Sequence, residues 1–235
     1  MAADNQISLN QVANGLLVWV GAPVAVHAIP TGVPLLLLEA DLGKAQQQKQ
    51  LLKDMFNIMV CAEVLSAQAN LEIQWHQFND DRFDGAIPKA NWHTSWANLR
   101  QISQQTRIGR SLENILDVWV AHTGATHKPA LHLVVRQGDP LAALQGLGPW
   151  CSQLEKLQLS GICGHGPWMQ ALNGWLEEHG FISAPFGGGW QRDPMASQLV
   201  ELQAKDQRIA DLEEQLSSLA VRLLLANNGN TEATP

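Results

Sequence analysis

Apolar residues fall in short runs, broken by glycines, prolines and polar stretches. Residues 16–28 read as one bent strand or a hairpin, interrupted at Gly21, Ala22 and Pro23. Residues 33–41, VPLLLLEAD, are continuously apolar until two acids close them. That is the pattern of a strand buried on both faces. From residue 42 to about 68, Leu51, Leu52, Met55, Met59, Val60 and Val64 recur at helical spacing. In LEIQWHQFND (71–80), Leu71, Ile73 and Trp75 alternate with Glu72, Gln74 and His76, which predicts a strand. A long polar loop with some helix follows, up to about residue 109. SLENILDVWVAH (111–122) opens on Ser111 as a helix N-cap, with an acid in the first turn. ALHLVVRQGDP (130–140) is a strand running into a Gly-Asp-Pro corner. Residues 154–164 read as a helix end and a further strand. Residues 167–180 form a helix with Pro167 at its start and Gly180 at its end. FISAPF (181–186) is a last short strand.

This alternation of strands and helices predicts an α/β fold: an open, mostly parallel, doubly wound sheet. After Pro194 the period changes. Met195, Leu202, Ile209, Leu216 and Leu223 are spaced by heptads, and Leu212 and Leu219 fill the intermediate seam, with Gln198 and Lys205 in its earlier positions. A C-terminal coiled-coil helix is predicted, with charged residues on its flanks. The expected division is an N-terminal extension, a strand or hairpin, over 1–32, a main domain over 33–190, the coiled coil over 195–226 and a disordered tail over 227–235. FGGGW (186–190) reads as the flexible link.

Composition narrows the classes. With 46% hydrophobic and 16% charged residues in 235, the chain is globular rather than disordered. A net charge of −7 gives no general attraction to nucleic acid or anionic lipid. Cys61, Cys151 and Cys163 are an odd number with no CxxC pair, which points to free thiols in a reducing, cytoplasmic setting. The start of the chain lacks the basic residues and apolar run of a secretory signal. Residues 15–38 are strongly apolar, but Pro23, Pro30 and Pro34 with Gly21, Gly32 and His27 cut them into strand-sized pieces, so no membrane span is expected.

Several groups offer chemistry. Arg136, Gln137, Gly138 and Asp139 stand where a central strand ends, the usual place for a site in α/β folds. Cys163 and His165 lie two apart in GICGHGPW; a strand-to-helix turn accounts for them, and no third group orients the pair. His76, Asp80, Asp81 and Asp84 hold ligand-type atoms, but spacing alone shows no convergence on a metal, and a polar strand end and loop is the expected reading. Trp92 and Trp96 either mark a partner surface or pin the long loop to the core.

Five segments in order resemble a von Willebrand factor A domain: LLLLEADLG (35–43), LEIQWHQFND (71–80), RIGRSLENIL (107–116), LHLVVRQGDP (131–140) and LQLSGICGHGPWMQAL (157–172). The family's metal-ion-dependent adhesion site takes an acid, two serines, a threonine and a second acid. Carried onto this chain, those positions are Glu39, Asp41, Gly43, Ser111 and Gln137, with Arg136 beside the last. Gly43 brings no ligand, Gln137 only a neutral amide oxygen, and Arg136 a positive charge. Magnesium demands an octahedron of oxygens, so the resemblance implies a degenerate site and no cofactor; Glu39, Asp41, Ser111 and Asp139 are the donors of any residual magnesium. It further implies a non-enzymatic adaptor or scaffold. Such a protein would bind a protein partner through Glu39, Asp41, Gly43, Ser111, Arg136, Gln137 and Asp139. It would oligomerise, or dock a partner as a hetero-coiled coil, through Leu202, Ile209, Leu212, Leu216, Leu219 and Leu223. The alternatives are a hydrolase or transferase using the strand-end crevice with Cys163 or His165, and a residual magnesium-dependent binder.

Overall fold

In a computed structural model of the chain, the described residues are 15–21, 32–55, 57–92, 96–184 and 189–195, with positions 205, 208, 209, 212, 215, 216 and 218 beyond them. The chain divides into two compact units, residues 1–192 and 193–235.

The first unit is α/β. Its strands are β1 (Gly15–Val20), β2 (Leu35–Glu39), β3 (Ile58–Ala62), β4 (Leu71–Phe78), β5 (Gln101–Gly109), β6 (Ala130–Val135), β7 (Leu154–Leu159), β8 (Phe181–Ser183) and β9 (Trp190–Arg192). Its helices are α1 (Leu42–Leu51), α2 (Leu112–Thr123), α3 (Pro140–Gln145) and α4 (Met169–Glu178). Seven strands form one sheet in the order β3-β2-β1-β6-β7-β9-β8, and β4 and β5 form a separate antiparallel hairpin. The pairings from β3 through β7 are all parallel; β9 runs antiparallel to both β7 and β8.

The apolar runs of β1, β2 and β6 are continuous because helices cover both faces of these strands. Leu16 and Val18 join Leu36, Leu38, Leu133 and Val135 in the larger core, under Leu112, Ile115, Leu116 and Trp119 of α2 and Leu172 and Leu176 of α4. Leu17 and Trp19 face the other way, with Leu35, Leu37, Val134 and Leu52, which follows α1. Trp150 is fully buried and donates its indole N–H to Asp117 Oδ1 at 2.8 Å.

The structure departs from the sequence expectations in four places. Residues 15–20 are not an N-terminal extension: β1 lies between β2 and β6, in the middle of the sheet. The helix expected over 42–68 stops at Leu51. Asn57 takes the left-handed conformation (φ 62°), and the Ile58–Ala62 run then pairs with β2 as a parallel strand. The polar stretch before residue 109 holds the nine-residue β5, whose outward Gln, Ser and Thr side chains hide the apolar alternation of a strand. Trp190, expected in a flexible link, is the first residue of β9. Gly189 has φ 112°, and a Cβ there would meet Leu157 O at 2.2 Å.

Among the described residues of the second unit, Met195, Ile209, Leu212 and Leu216 are helical and exposed. Leu202, Leu219 and Leu223 of the predicted seam, and the tail over 227–235, lie outside the described residues. No helix among the described residues is long and apolar enough to cross a membrane.

The edge of the sheet is held by Arg192. Its guanidinium donates to the carbonyls of Leu154 at 3.1 Å, His179 at 3.3 Å and Cys151 at 2.6 Å, and lies over the Phe181 ring at 4.8 Å. Replacing Arg192 with Ala will lower the unfolding free energy by about 2 kcal/mol, read from a urea melt. Arg192→Lys will recover little of the loss, because an ammonium cannot span three carbonyls as a planar fork does.

Candidate functional site

In open α/β sheets, ligands bind outside the carboxyl ends of the strands where the chain reverses its direction of winding. Here the chain moves from β1 outward to β2 and β3, then returns to the far side of β1 as β6. The reversal therefore lies between β1 and β6. Val20 ends β1 and Gly21 turns the chain with φ 92°, in contact with Gln137; a Cβ on Gly21 would meet Gln137 Cβ at 2.6 Å. The Gly21 amide donates to Leu38 O at 2.8 Å and the Arg136 amide to Val20 O at 2.9 Å, so the three strand ends are tied together.

A cavity of about 320 Å³ opens there. Its floor is Val20, Gly21, Leu38 and Ala40, and one side is Gln137, Gly138 and Asp139. The opposite wall is the hairpin strand β4, including Ile73 and Trp75. Arg107 of β5 holds this wall in place: it donates to Ala40 O at 2.7 Å and lies 5.6 Å over the Trp75 ring. Gln137 donates to Asp81 O at 2.7 Å.

The residues carried over from the adhesion site do not form one ligand set. Asp41 Oδ1 accepts from the Lys44 amide at 2.9 Å and caps α1. Ser111 Oγ accepts from the Asn114 amide at 3.4 Å and caps α2. Asp139 Oδ1 accepts from Leu141 at 2.9 Å and Ala142 at 3.3 Å and caps α3. Gly43 lies in the first turn of α1, and the Arg136 guanidinium is 5.8 Å over the Trp19 ring. Glu39 is fully buried at the end of β2 and accepts from the Asp41 amide at 2.9 Å. β1 separates β2 from β6, so Glu39 and Gln137 end strands that are not neighbours. Among the described residues no group of three or more His, Cys, Asp or Glu is placed to hold a metal ion.

Other candidates resolve into structural roles. Cys163 is wholly buried, its Sγ donates to Gly138 O at 3.7 Å, and burial pushes its thiol up to about 12. His165 is exposed and no hydrogen bond joins the two. A protonated, buried thiol is a poor nucleophile. Asp80 pairs with Arg82, Asp81 with Lys44 at 2.6 Å, and Asp84 accepts from the Phe78 amide at 2.8 Å, so the acids beyond His76 are dispersed. Trp92 and Trp96 pin the loop: Phe83 meets their rings at 4.9 and 4.8 Å, and Trp92 meets Trp168 at 5.4 Å, all edge-on.

Sequence reasoning overlooked Gly21, Trp75 and Arg107 as site residues. Gly21 stood out only as a turn, and its partner Gln137 is more than a hundred positions away. No family model, curated protein or solved structure matches the chain.

Two outcomes follow from the titrating groups. A thiol reagent at pH 8 will label Cys163 only as fast as the native chain unfolds, followed by mass spectrometry of the labelled peptide. Burial, with Asp81 and Asp41 nearby, lifts Asp84 to about 6, against the Phe78 amide and Lys44. The unfolded chain ionises this carboxyl from about pH 4. Stability will therefore fall as pH rises from about 4 to 6 and level off above that. Asp84→Asn will flatten that slope in urea melts across the interval.

Proposed function

We propose that the crevice between β1 and β6 binds a nucleoside that carries no pyrophosphate, and that the domain transfers a group from it. The observation that carries this reading is Glu39. It is a buried carboxylate at the end of the strand next to β1, and it follows Gly21 by roughly the 20 residues at which an acid takes up a ribose diol in doubly wound folds. The cavity is lined by Leu38 and Ala40, the neighbours of Glu39 along the chain, and not by Glu39 itself. One of its carboxylate oxygens accepts from the Asp41 amide, and a carboxylate has about four acceptor sites in all.

The phosphate half of a dinucleotide site has no counterpart. After β1 the chain reads Gly21-Ala22-Pro23-Val24-Ala25-Val26, so the second glycine of G-x-G-x-x-G, which lets a pyrophosphate approach the backbone, is a proline. S-adenosylmethionine and its thioether products are nucleosides of the remaining kind. This is the transferase alternative with its site at Gly21, Glu39 and Gln137 instead of Cys163 and His165. The C-terminal heptads are proposed separately as a coiled coil that oligomerises the chain, since Ile209, Leu212 and Leu216 present apolar side chains at seam positions.

Calorimetry of the full chain will give binding of S-adenosylhomocysteine and 5′-methylthioadenosine, and weaker or no binding of NAD. Glu39→Gln will weaken the nucleosides by about 10- to 100-fold, the worth of hydrogen bonds to a charged group. Absence of heat with every nucleoside ends the reading. In sedimentation, the full chain will run as an oligomer that a chain ending at Pro194 does not form.

A further inference from the structure

The seven-stranded sheet ends at β3 on one side, and the outer edge of that strand is open over part of its length. The bonds at its two ends fix which groups face outward. Leu35 donates to Asn57 O at 2.9 Å and Glu63 donates to Glu39 O at 3.0 Å, so the odd-numbered residues turn their peptide groups toward β2. The N–H and C=O groups of Ile58, Val60 and Ala62 therefore point away from the sheet. Just past the strand the same edge is taken: Arg110 donates to Val64 O at 2.8 Å and accepts from the Ser66 amide at 3.0 Å. Among the described residues nothing pairs with this side of the stretch between Asn57 and Val64.

Open strand edges are commonly blunted by a lysine, a proline or a bulge. β3 has none of these: it reads Ile-Met-Val-Cys-Ala, and its register with β2 is unbroken. Ile58, Met59, Val60 and Cys61 are half-buried and Ala62 is exposed. Ile58 and Val60 pack against one core, Met59 and Cys61 against the other, so both apolar layers run out to this edge. The charge nearest the strand, Glu63, is already paired with Arg110 at 2.6 Å.

The gap fits a short apolar strand whose chain bends away at its start. β3 itself meets that description, because Asn57 (φ 62°) turns the chain directly before Ile58. In an antiparallel pairing centred on Val60, Val60 lies opposite its own copy, Ile58 opposite Ala62 and Met59 opposite Cys61. Every facing pair is then apolar, and about six hydrogen bonds form between the copies. A shift of the register one way runs the copy into the segment at Arg110. A shift the other way sets Ala62 beyond the Asn57 turn. Only the register centred on Val60 uses the whole gap.

We infer that β3 pairs antiparallel with β3 of a second copy, joining two seven-stranded sheets into one across a two-fold axis at Val60. The pairing needs neither a ligand in the crevice nor the C-terminal heptads.

Two measurements on the full chain test this. Under oxidised glutathione, Val60→Cys will link to itself in a second copy, because the Cα atoms of such a pair stand about 5.5 Å apart, within disulfide reach. Ala62→Cys will not, since its two copies stand about 14 Å apart along the strands. Cys61→Ala in both chains leaves the new thiol alone on the strand, and peptide mass spectrometry reads the link. In amide exchange followed by NMR, the Ile58, Val60 and Ala62 amides will be as slow as those of Met59 and Cys61, which face β2. Ala62→Lys puts a charge at an exposed position, so the single copy keeps its fold. It will speed the three outward amides at least about tenfold, while Met59 and Cys61 stay slow. No link through Val60→Cys, or equal linking of the two cysteine variants, overturns the inference. So does a Val60 amide that exchanges fast in the native chain, or outward amides left slow in Ala62→Lys. An oligomer held by the heptads alone gives the fast Val60 amide and leaves the coiled coil standing.

Discussion

The burial of β1 on both faces and both edges governs the rest of the structure. β2 and β6 pair with its two edges, and its side chains feed alternately into two cores, Leu16 and Val18 into one and Leu17 and Trp19 into the other. A strand enclosed in this way can meet a ligand only at its end. Gly21, with its positive φ and its contact with Gln137, is that end. The floor of the cavity, the spacing to Glu39 and the reach of Arg107 across to Ala40 all take their positions from it. The hydrophobic effect that fills the two cores is therefore also what brings polar groups from distant parts of the chain together.

The same arrangement explains why a metal-site pattern can be read along the chain without a metal-site geometry behind it. Each helix that follows a strand begins with unsatisfied amides, and a short oxygen-bearing side chain satisfies them best. Asp41, Ser111 and Asp139 do this for α1, α2 and α3. Asp and Ser are also what a hard cation asks of a protein. Residue type at strand ends cannot separate the two roles; the bonds to Lys44, Asn114, Leu141 and Ala142 do.

Much of the layered architecture was legible in the chain. The apolar run of β2, the capped start of α2, the strand ending at the Gly-Asp-Pro corner and the Pro-to-Gly limits of α4 are local signals, and each element lies close to where its signal stands. Less was legible wherever an element owes its place to distant residues. β5 is polar on its outer side and exists because β4 pairs with it. β3 shares apolar residues with any helix of that length, and Asn57 is what breaks the two apart. The rank of β1 as the centre of the sheet depends on a pairing with β6 across more than a hundred residues. The candidate site was half legible for the same reason: Glu39, Gln137 and Asp139 end apolar runs and attract notice, whereas Trp75 lines the cavity, and Arg107 holds that wall, only once the hairpin is folded against it.

Arg192 closes the sheet one residue before the second unit begins at Asp193. Its three carbonyl bonds gather the β7 start, the end of α4 and the turn before β7 at a single guanidinium. The last anchor of the domain and its last residue thus coincide. A lineage carrying this fold could change the chain after Arg192 with every strand of the sheet already in place, so the sheet domain and the segment after it are able to evolve at different rates.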